Sequence, residues 1–316
     1  MRRGEWCLCL FNHRVSQLYR NYGVKNMGDY KYVIYEKDGQ VGTITMNRPD
    51  SLNVVDFPWQ GGICDDLLAA IEEAETDDDL KVIVFKGAGK SFCAGHDLTR
   101  VYKVYENFDD EPGKRRPSQH ARLKIDRYWY EMEQKILISP KITVCQVQGH
   151  CLGEGALIAE SCDFSIVAND AKIGHPEQRM GCAGSAIPTI PILYLKIGYT
   201  RARDLLLTGR HITGEEAARI GWATKAVPED KLEEEVNNLC RLLTVYPRDG
   251  IDIGKATNHM ILDAMGITRG WAIGYYSHTL FTNLRYEKGE FNFLSKRRKQ
   301  GAKATFHERD KKYEGK

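Results

Sequence analysis

Residues 149–164 read "GHCLGEGALIAESCDF". Gly149, Gly153 and Gly155 crowd this short stretch, and a charged residue, Glu154, stands between the last two. Glycines packed this closely mark backbone that must pass close to something. The apolar run "ITVCQV" before them has the length and β-branched content of a buried strand, and a helical pattern follows. The glycines therefore stand at a strand-to-helix turn, where α/β proteins build their sites.

Outward from this turn the alternation continues. "YKYVIYEKDGQVGTITMNRP" reads as two strands around Asp38-Gly39, the second stopped by Pro49. "GICDDLLAAIEEAETD" carries Ile63, Leu67, Ile71 and Ala74 at helical spacing, and "KVIVFKG" is a short buried strand. "HARLKIDRYWYEMEQKIL" repeats Ala121, Ile125, Trp129, Met132 and Ile136 on one helix face. "DFSIVAN" is a further strand. "TGEEAARIG" opens with Thr213 and has Glu216 three residues on, a capping box. "PEDKLEEEVNNLCRLL" begins at Pro228 and places Leu232, Val236 and Leu239 on one stripe. Strand and helix alternate to about residue 225, which predicts an α/β fold; beyond that the pattern is helical. The expected division is an extension over 1–27, an α/β core over 28–227, and a helical region with a polar tail over 228–316. The polar segment "KVYENFDDEPGKRRPSQ" reads as a surface insertion.

The chain has 316 residues, 42% hydrophobic and 28% charged, with a net charge of +2. This is ordinary globular composition with no general drive toward nucleic acid or membrane. No apolar run approaches the ~20 residues that span a bilayer. The nine cysteines are scattered without zinc-finger spacing, so no metal site is expected; they read as reduced thiols of a cytoplasmic protein. The start, "MRRGEWCLCLFNHRVSQLYRNYGVKNMGDY", reads as a disordered or over-long extension before Met27; read as a transit peptide, it would place the protein in the mitochondrial matrix.

Three segments each follow a strand: "GKSFCAGHDL" (89–98), the stretch quoted first, and "AKIGHPEQRMG" (171–181). In this order, with "NRPDSLN" before them and "TGRHITGEEAARIGWATKAVP" after, they resemble the enoyl-CoA hydratase/isomerase (crotonase) superfamily over roughly residues 30–300. The resemblance implies a crotonase-like spiral of ββα units with two roughly perpendicular sheets. It also implies a C-terminal helical trimerisation region, hence a homotrimer or a dimer of trimers. It further implies an acyl-CoA thioester substrate, with coenzyme A as part of that substrate and no tightly bound cofactor.

In that family two backbone N–H groups hold the oxygen of a thioester enolate, and one such donor can contribute ~3–4 kcal/mol. The matching positions are His96, inside "AGHD", and Glu154. An N–H does not depend on side-chain identity, so Glu154 is expected to donate with its backbone while its charged side chain points away from the enolate. Recruitment of that side chain into the chemistry is the alternative. Of the two family glutamates that flank the substrate in hydratases, one is kept, in "PE", as Glu177. A carboxyl facing an apolar pocket has a raised pKa, which suits proton transfer near neutrality. The other position is Leu157, which transfers no proton. His150, His175, Glu154, Glu160 and the 101–120 loop are candidates to replace it. The acid of the related hydrolases corresponds to about Ser185.

For coenzyme A the resemblance points to backbone at Ser51, Leu52 and Val54, and at Ala94, His96, Asp97, Leu98 and Glu154. Lys90 and Lys296 are candidate phosphate contacts, weighed against ordinary surface lysines. Tyr102, Tyr105, Phe108, Tyr128 and Trp129 are candidate acyl-pocket walls, with helix core as the plainer reading of Trp129. The basic run "SKRRKQGAK" is short and lacks interleaved aromatics, so nucleic acid is not an expected partner. The expected activity is of the enoyl-CoA hydratase/isomerase type. The alternatives are an acyl-CoA hydrolase or C–C-cleaving enzyme, and a noncatalytic CoA- or RNA-binding member.

Overall fold

The computed structural model describes residues 28–56, 61–99, 119–184, 186–280 and 286–314. The first 27 residues, with the expected extension, and nearly all of the surface insertion lie outside the described residues. β1 (Val33–Asp38) and β2 (Val41–Met46) form the hairpin around Asp38-Gly39, with Val33 opposite Met46 and Asp38 opposite Val41. β3 (Val82–Gly87), β4 (Ile142–Val147), β6 (Phe164–Ala168) and β9 (Lys225–Val227) add in parallel, giving a sheet ordered β1-β2-β3-β4-β6-β9. A second sheet holds β5 (His150–Leu152), β7 (Lys172–Gly174) and β8 (Ile212–Thr213), ordered β5-β7-β8. The parallel strands β3 and β4 are buried almost throughout, which is why both read as continuous apolar runs.

Helices cover these sheets. α1 (Ile63–Thr76) buries Ile63, Leu67, Ile71 and Ala74, the face its spacing predicts. Each of the larger three contributes about 2 kcal/mol on burial. α2 (Gln119–Leu137) sinks Trp129, Met132 and Ile136 into the same core, with Ile125 at its margin. α3 (Glu154–Ser161) follows β5 and is buried along its whole length. α4 (Ile190–Ile197) and α5 (Tyr199–Thr208) lead to β8. α6 (Gly214–Ile220) starts at the expected box, in which Thr213 Oγ1 accepts the Glu216 N–H at 3.1 Å.

After β9 the described chain is helical: α7 (Leu232–Thr244), α8 (Arg248–Ala264), α9 (Ile267–Leu280), α10 (Phe293–Gln300) and α11 (Ala302–Glu314). The buried stripe of α7 is Leu232, Val236, Cys240 and Leu243, with Leu239 only at its margin. α9 lies along α2, where Tyr275 donates to the Leu123 carbonyl at 2.6 Å and Thr279 to Asp126 Oδ2 at 3.1 Å. α8, α9 and the turn between them also expose Ile253, Met260, Met265, Ile273, Tyr276 and Leu280. Among the described residues, no helix is long and apolar enough to cross a membrane.

Candidate active site

The 93–98 segment is laced between two others. Cys93 bridges Cys151 of β5, and His96 bridges Val55. Cys93 N donates to the His150 carbonyl at 2.9 Å, Ala94 N to Leu52 O at 3.0 Å and Asp97 N to Val55 O at 2.7 Å. Extended backbone turns alternate side chains to opposite faces. Cys93, Gly95 and Asp97 point inward, while Ala94, His96 and Leu98 stay half-exposed beside half-exposed Ser51, Leu52 and Val54. Asp97 does not share this open edge. Its Oδ1 accepts the Thr99 N–H at 2.8 Å, and its Oδ2 faces Arg48 at 3.5 Å, which makes it a brace for the turn. Asn53, fully buried, ties the edge down by donating to the Ala88 and Ser91 carbonyls.

The glycines around Glu154 have distinct tasks. Gly153 has φ +51° and ψ −117°, a conformation that side-chain-bearing residues rarely adopt. Gly155 packs so tightly that a Cβ there would lie 2.4 Å from the Cys93 carbonyl oxygen. Glu154 lies between them with no positive φ, as the first residue of α3, so a glutamate fits without backbone strain. The two segments that carry the candidate donors are brought together by this packing. A Cβ built on Gly95 would lie 3.8 Å from Glu154 N, and one built on Gly153 would lie 3.7 Å from Gly95 Cα. Among the described residues, the N–H groups of His96 and Glu154 find no backbone carbonyl. The positive end of α3 adds to the potential there.

The side chain of Glu154 is turned into the protein. It is almost fully buried, and its Oε2 lies 3.4 Å from His96 Nε2. Burial, with Glu177 nearby, pushes the Glu154 pKa up to about 8, so the charge that was expected to oppose an enolate is absent at neutrality. Glu133 of α2 is fully buried, and burial, with Glu154 nearby, raises its own pKa well above the usual range. His96 stacks on Trp129 at 4.2 Å between centroids. Burial, with the nearby His278 and Arg122, lowers its pKa to about 3, so its imidazole is neutral.

Glu177 follows β7 in the turn after Pro176. A Cβ on Gly153 would sit 3.0 Å from its Oε1, so its carboxyl lies against the turn that carries the candidate donor. Burial raises its pKa, with His175 and His278 opposing the shift in part. Its Oε2 is shielded and has no hydrogen-bond partner among the described residues.

The other candidates separate. His175 pairs with Glu160 at 2.8 Å, and Glu160 also accepts from Thr189 at 2.5 Å and Trp222 at 2.9 Å. Burial pushes Glu160 up, but these three partners outweigh it and hold its carboxyl below the usual range. His150 Nδ1 lies 3.1 Å from Ser91 Oγ. Both histidines thus take the plainer, hydrogen-bonded reading. Lys296 pairs with Glu308, and Lys90 is an exposed surface lysine. Tyr128 is buried and donates to Asp65 at 2.9 Å. Tyr102, Tyr105, Phe108 and Ser185 lie outside the described residues. Among the described residues, no group of His, Cys, Asp and Glu is arranged to hold a metal ion.

Glu133 was not among the expected site residues. The reading of α2 followed its apolar face and left Glu133 among the polar positions. A signal was there: Arg122, Asp126, Trp129 and Glu133 are spaced four, three and four residues apart, a second stripe on one helix side. All four are buried.

Comparison with known proteins bears on the fold and the family. Residues 36–301 match the family model described as enoyl-CoA hydratase/isomerase. The trans-2-decenoyl-[acyl-carrier-protein] isomerase of Streptococcus mutans is 26% identical over 288 residues, covering 91% of this chain and 100% of that protein. The 1,2-epoxyphenylacetyl-CoA isomerase of Escherichia coli is 25% identical over 280 residues, covering 85% and 98%. A crystal structure of an enoyl-CoA hydratase from Mycobacterium smegmatis superposes with a TM-score of 0.77 at 26% identity, covering 91% of this chain and 96% of that one. The chain belongs to the enoyl-CoA hydratase/isomerase family, the crotonase superfamily, and is an acyl-CoA-processing enzyme of that family.

Proposed function

We propose that this enzyme forms and quenches the enolate of an enoyl-CoA thioester. The N–H groups of His96 and Glu154 hold the carbonyl oxygen, and Glu177 carries the proton. The observation that supports this most is the close packing of the two segments that carry these N–H groups, neither of which meets a backbone carbonyl among the described residues, with the Glu177 carboxyl against the same turn. Negative charge that develops on the oxygen is met by donors fixed before reaction begins, and each is worth ~3–4 kcal/mol to the transition state. Trp129 and His96 wall the site. The open edge of Ser51, Leu52, Val54, Ala94 and Leu98 is placed to take coenzyme A, which enters as part of the substrate. One proton carrier suffices to shift a double bond, and the two relatives described above are isomerases by name.

The exposed apolar faces of α8 and α9 support self-association, as a trimer or dimer of trimers. The seven described cysteines are buried free thiols, which fits a reducing compartment, cytoplasm or mitochondrial matrix alike.

The test is a panel of 2- and 3-enoyl-CoA thioesters, followed by mass and by ultraviolet absorbance. Gain of water reports hydration, and unchanged mass with altered absorbance reports a double-bond shift. Glu177→Gln is expected to lower turnover ~10²–10⁴-fold while CoA affinity survives. Unchanged turnover in that variant refutes the assignment of Glu177.

A further inference from the structure

A cluster of buried polar side chains that the proposed chemistry does not use joins the two segments that carry Glu154 and Glu177. Glu160 Oε1 accepts from His175 Nε2 at 2.8 Å and from Trp222 Nε1 at 2.9 Å, and its Oε2 accepts from Thr189 Oγ1 at 2.5 Å. All four residues are buried. They come from α3, the turn after β7, the residue before α4 and the turn after α6. Three donors on one buried carboxylate fix it in place. α3 begins with Glu154, the proposed donor, and Glu160 stands six residues on, ~9 Å along the helix axis. His175 stands two residues before Glu177, with Pro176 between them. Proline fixes its own φ and restricts the residue before it to extended backbone, so little freedom remains between His175 and Glu177. The start of α3 and the end of β7 are already joined once, where Gly153 N donates to the Gly174 carbonyl at 3.0 Å. One attachment leaves a helix free to pivot; a second, ~9 Å farther along, sets its angle. His175 Nδ1 has no hydrogen-bond partner among the described residues, so the ring is held through Nε2 alone.

We infer that Glu160 and His175 are positioning residues, a buried clamp that sets the Glu177 carboxyl against the Glu154 N–H. This rests on the proposed reading of that N–H and of Glu177. A base displaced by ~1 Å can cost ~10²-fold in rate while coenzyme A still binds through other segments. The clamp also carries charge. Burial alone would lower the His175 pKa, but the Glu160 carboxylate, by its charge and its hydrogen bond, raises it above the usual value, and Glu177 adds to the rise. The imidazolium in turn opposes the effect of burial on Glu177. His278 of α9 acts on Glu177 in the same sense as His175, and Glu160 in the opposite one. Glu154 and Cys182 are the other titratable groups that feel the Glu177 charge. Without the imidazolium, Glu177 would hold its proton to higher pH and serve as a base over a narrower range.

Exchange of the α-protons of butyryl-CoA in deuterium oxide tests this on the full chain, because it needs only the hole and Glu177. His175→Leu opens the clamp and leaves Glu160 its bonds from Thr189 and Trp222. Its kcat for exchange is expected to fall at least ~100-fold, with KM within ~3-fold of the unaltered enzyme. His175→Gln keeps an N–H for Glu160 but carries no charge. It should recover kcat to within ~10-fold on the plateau, and the acid limb of its kcat/KM profile should stand ~1 unit higher in pH. A near-normal kcat in His175→Leu, a KM that rises in step with the loss, a glutamine variant no better than the leucine one, or an acid limb that does not move overturns the inference. If His175→Leu does not fold, the limb of His175→Gln decides. Exchange that persists in Glu177→Gln overturns instead the reading of the base, so the two failures are told apart.

Discussion

Raising the pH should weaken this protein through Glu154, and Glu154→Gln should abolish that share of the loss. The carboxyl ionises near 4.5 when the chain is unfolded, but is held to about 8 in the fold, first by burial and then by Glu177. Between these values the unfolded chain releases a proton that the folded chain keeps, so the unfolded state gains as pH rises. The stabilisation is fully present below the unfolded value and is lost as pH climbs through the folded one. Each pH unit across that window is worth ~1.4 kcal/mol, so from ~pH 5 to ~pH 8.5 Glu154 withdraws on the order of 4 kcal/mol. Glutamine does not titrate. The assay is urea unfolding of both proteins at the two pH values, at matched protein concentration. The glutamine variant should gain on the unaltered protein by several kcal/mol as pH rises. An equal pH slope for the two proteins would mean that Glu154 is ionised in the fold, and the neutral-acid account of the site would fall.

Gly155→Ala places a Cβ 2.4 Å from the Cys93 carbonyl oxygen, so backbone must move. Exchange of butyryl-CoA α-protons should fall at least ~100-fold, because one displaced donor is worth that much; near-normal exchange would mean that α3 does not need that close approach. Trp129→Ala should lower stability by ~3–5 kcal/mol in urea unfolding and free the His96 ring that now stacks on it. Met260→Glu with Ile273→Glu, on the exposed apolar faces of α8 and α9, should lower the oligomeric mass measured by light scattering. A mass unchanged by both charges would place the self-association surface elsewhere.

Much of the fold was legible because periodicity reports burial directly. α1 and β3 read correctly from their apolar spacing, and the Thr213–Glu216 box marked the start of α6. The glycines at 153 and 155 announced a close approach, and they make one with Cys93 and Gly95. The protonation state of the site was not legible. A glutamate is charged by default, and only burial among other acids reverses that, which depends on side chains far apart in the chain. Glu154 was therefore expected to carry a charge, and Glu133 was missed because the acid nearby lies on another helix. The inward turn of the Asp97 side chain, which Arg48 and Thr99 hold, was not read from the motif either, although it follows from strand alternation.

The central claim is that two main-chain amides meet one thioester oxygen beside Glu177. A structure of the enzyme with a bound, unreactive acyl-CoA tests it most directly. The thioester oxygen should lie within hydrogen-bonding distance, ~3 Å, of both His96 N and Glu154 N, with the α-carbon facing the Glu177 carboxyl. A thioester oxygen bound by solvent or by other donors, with those two amides turned elsewhere, would contradict the account.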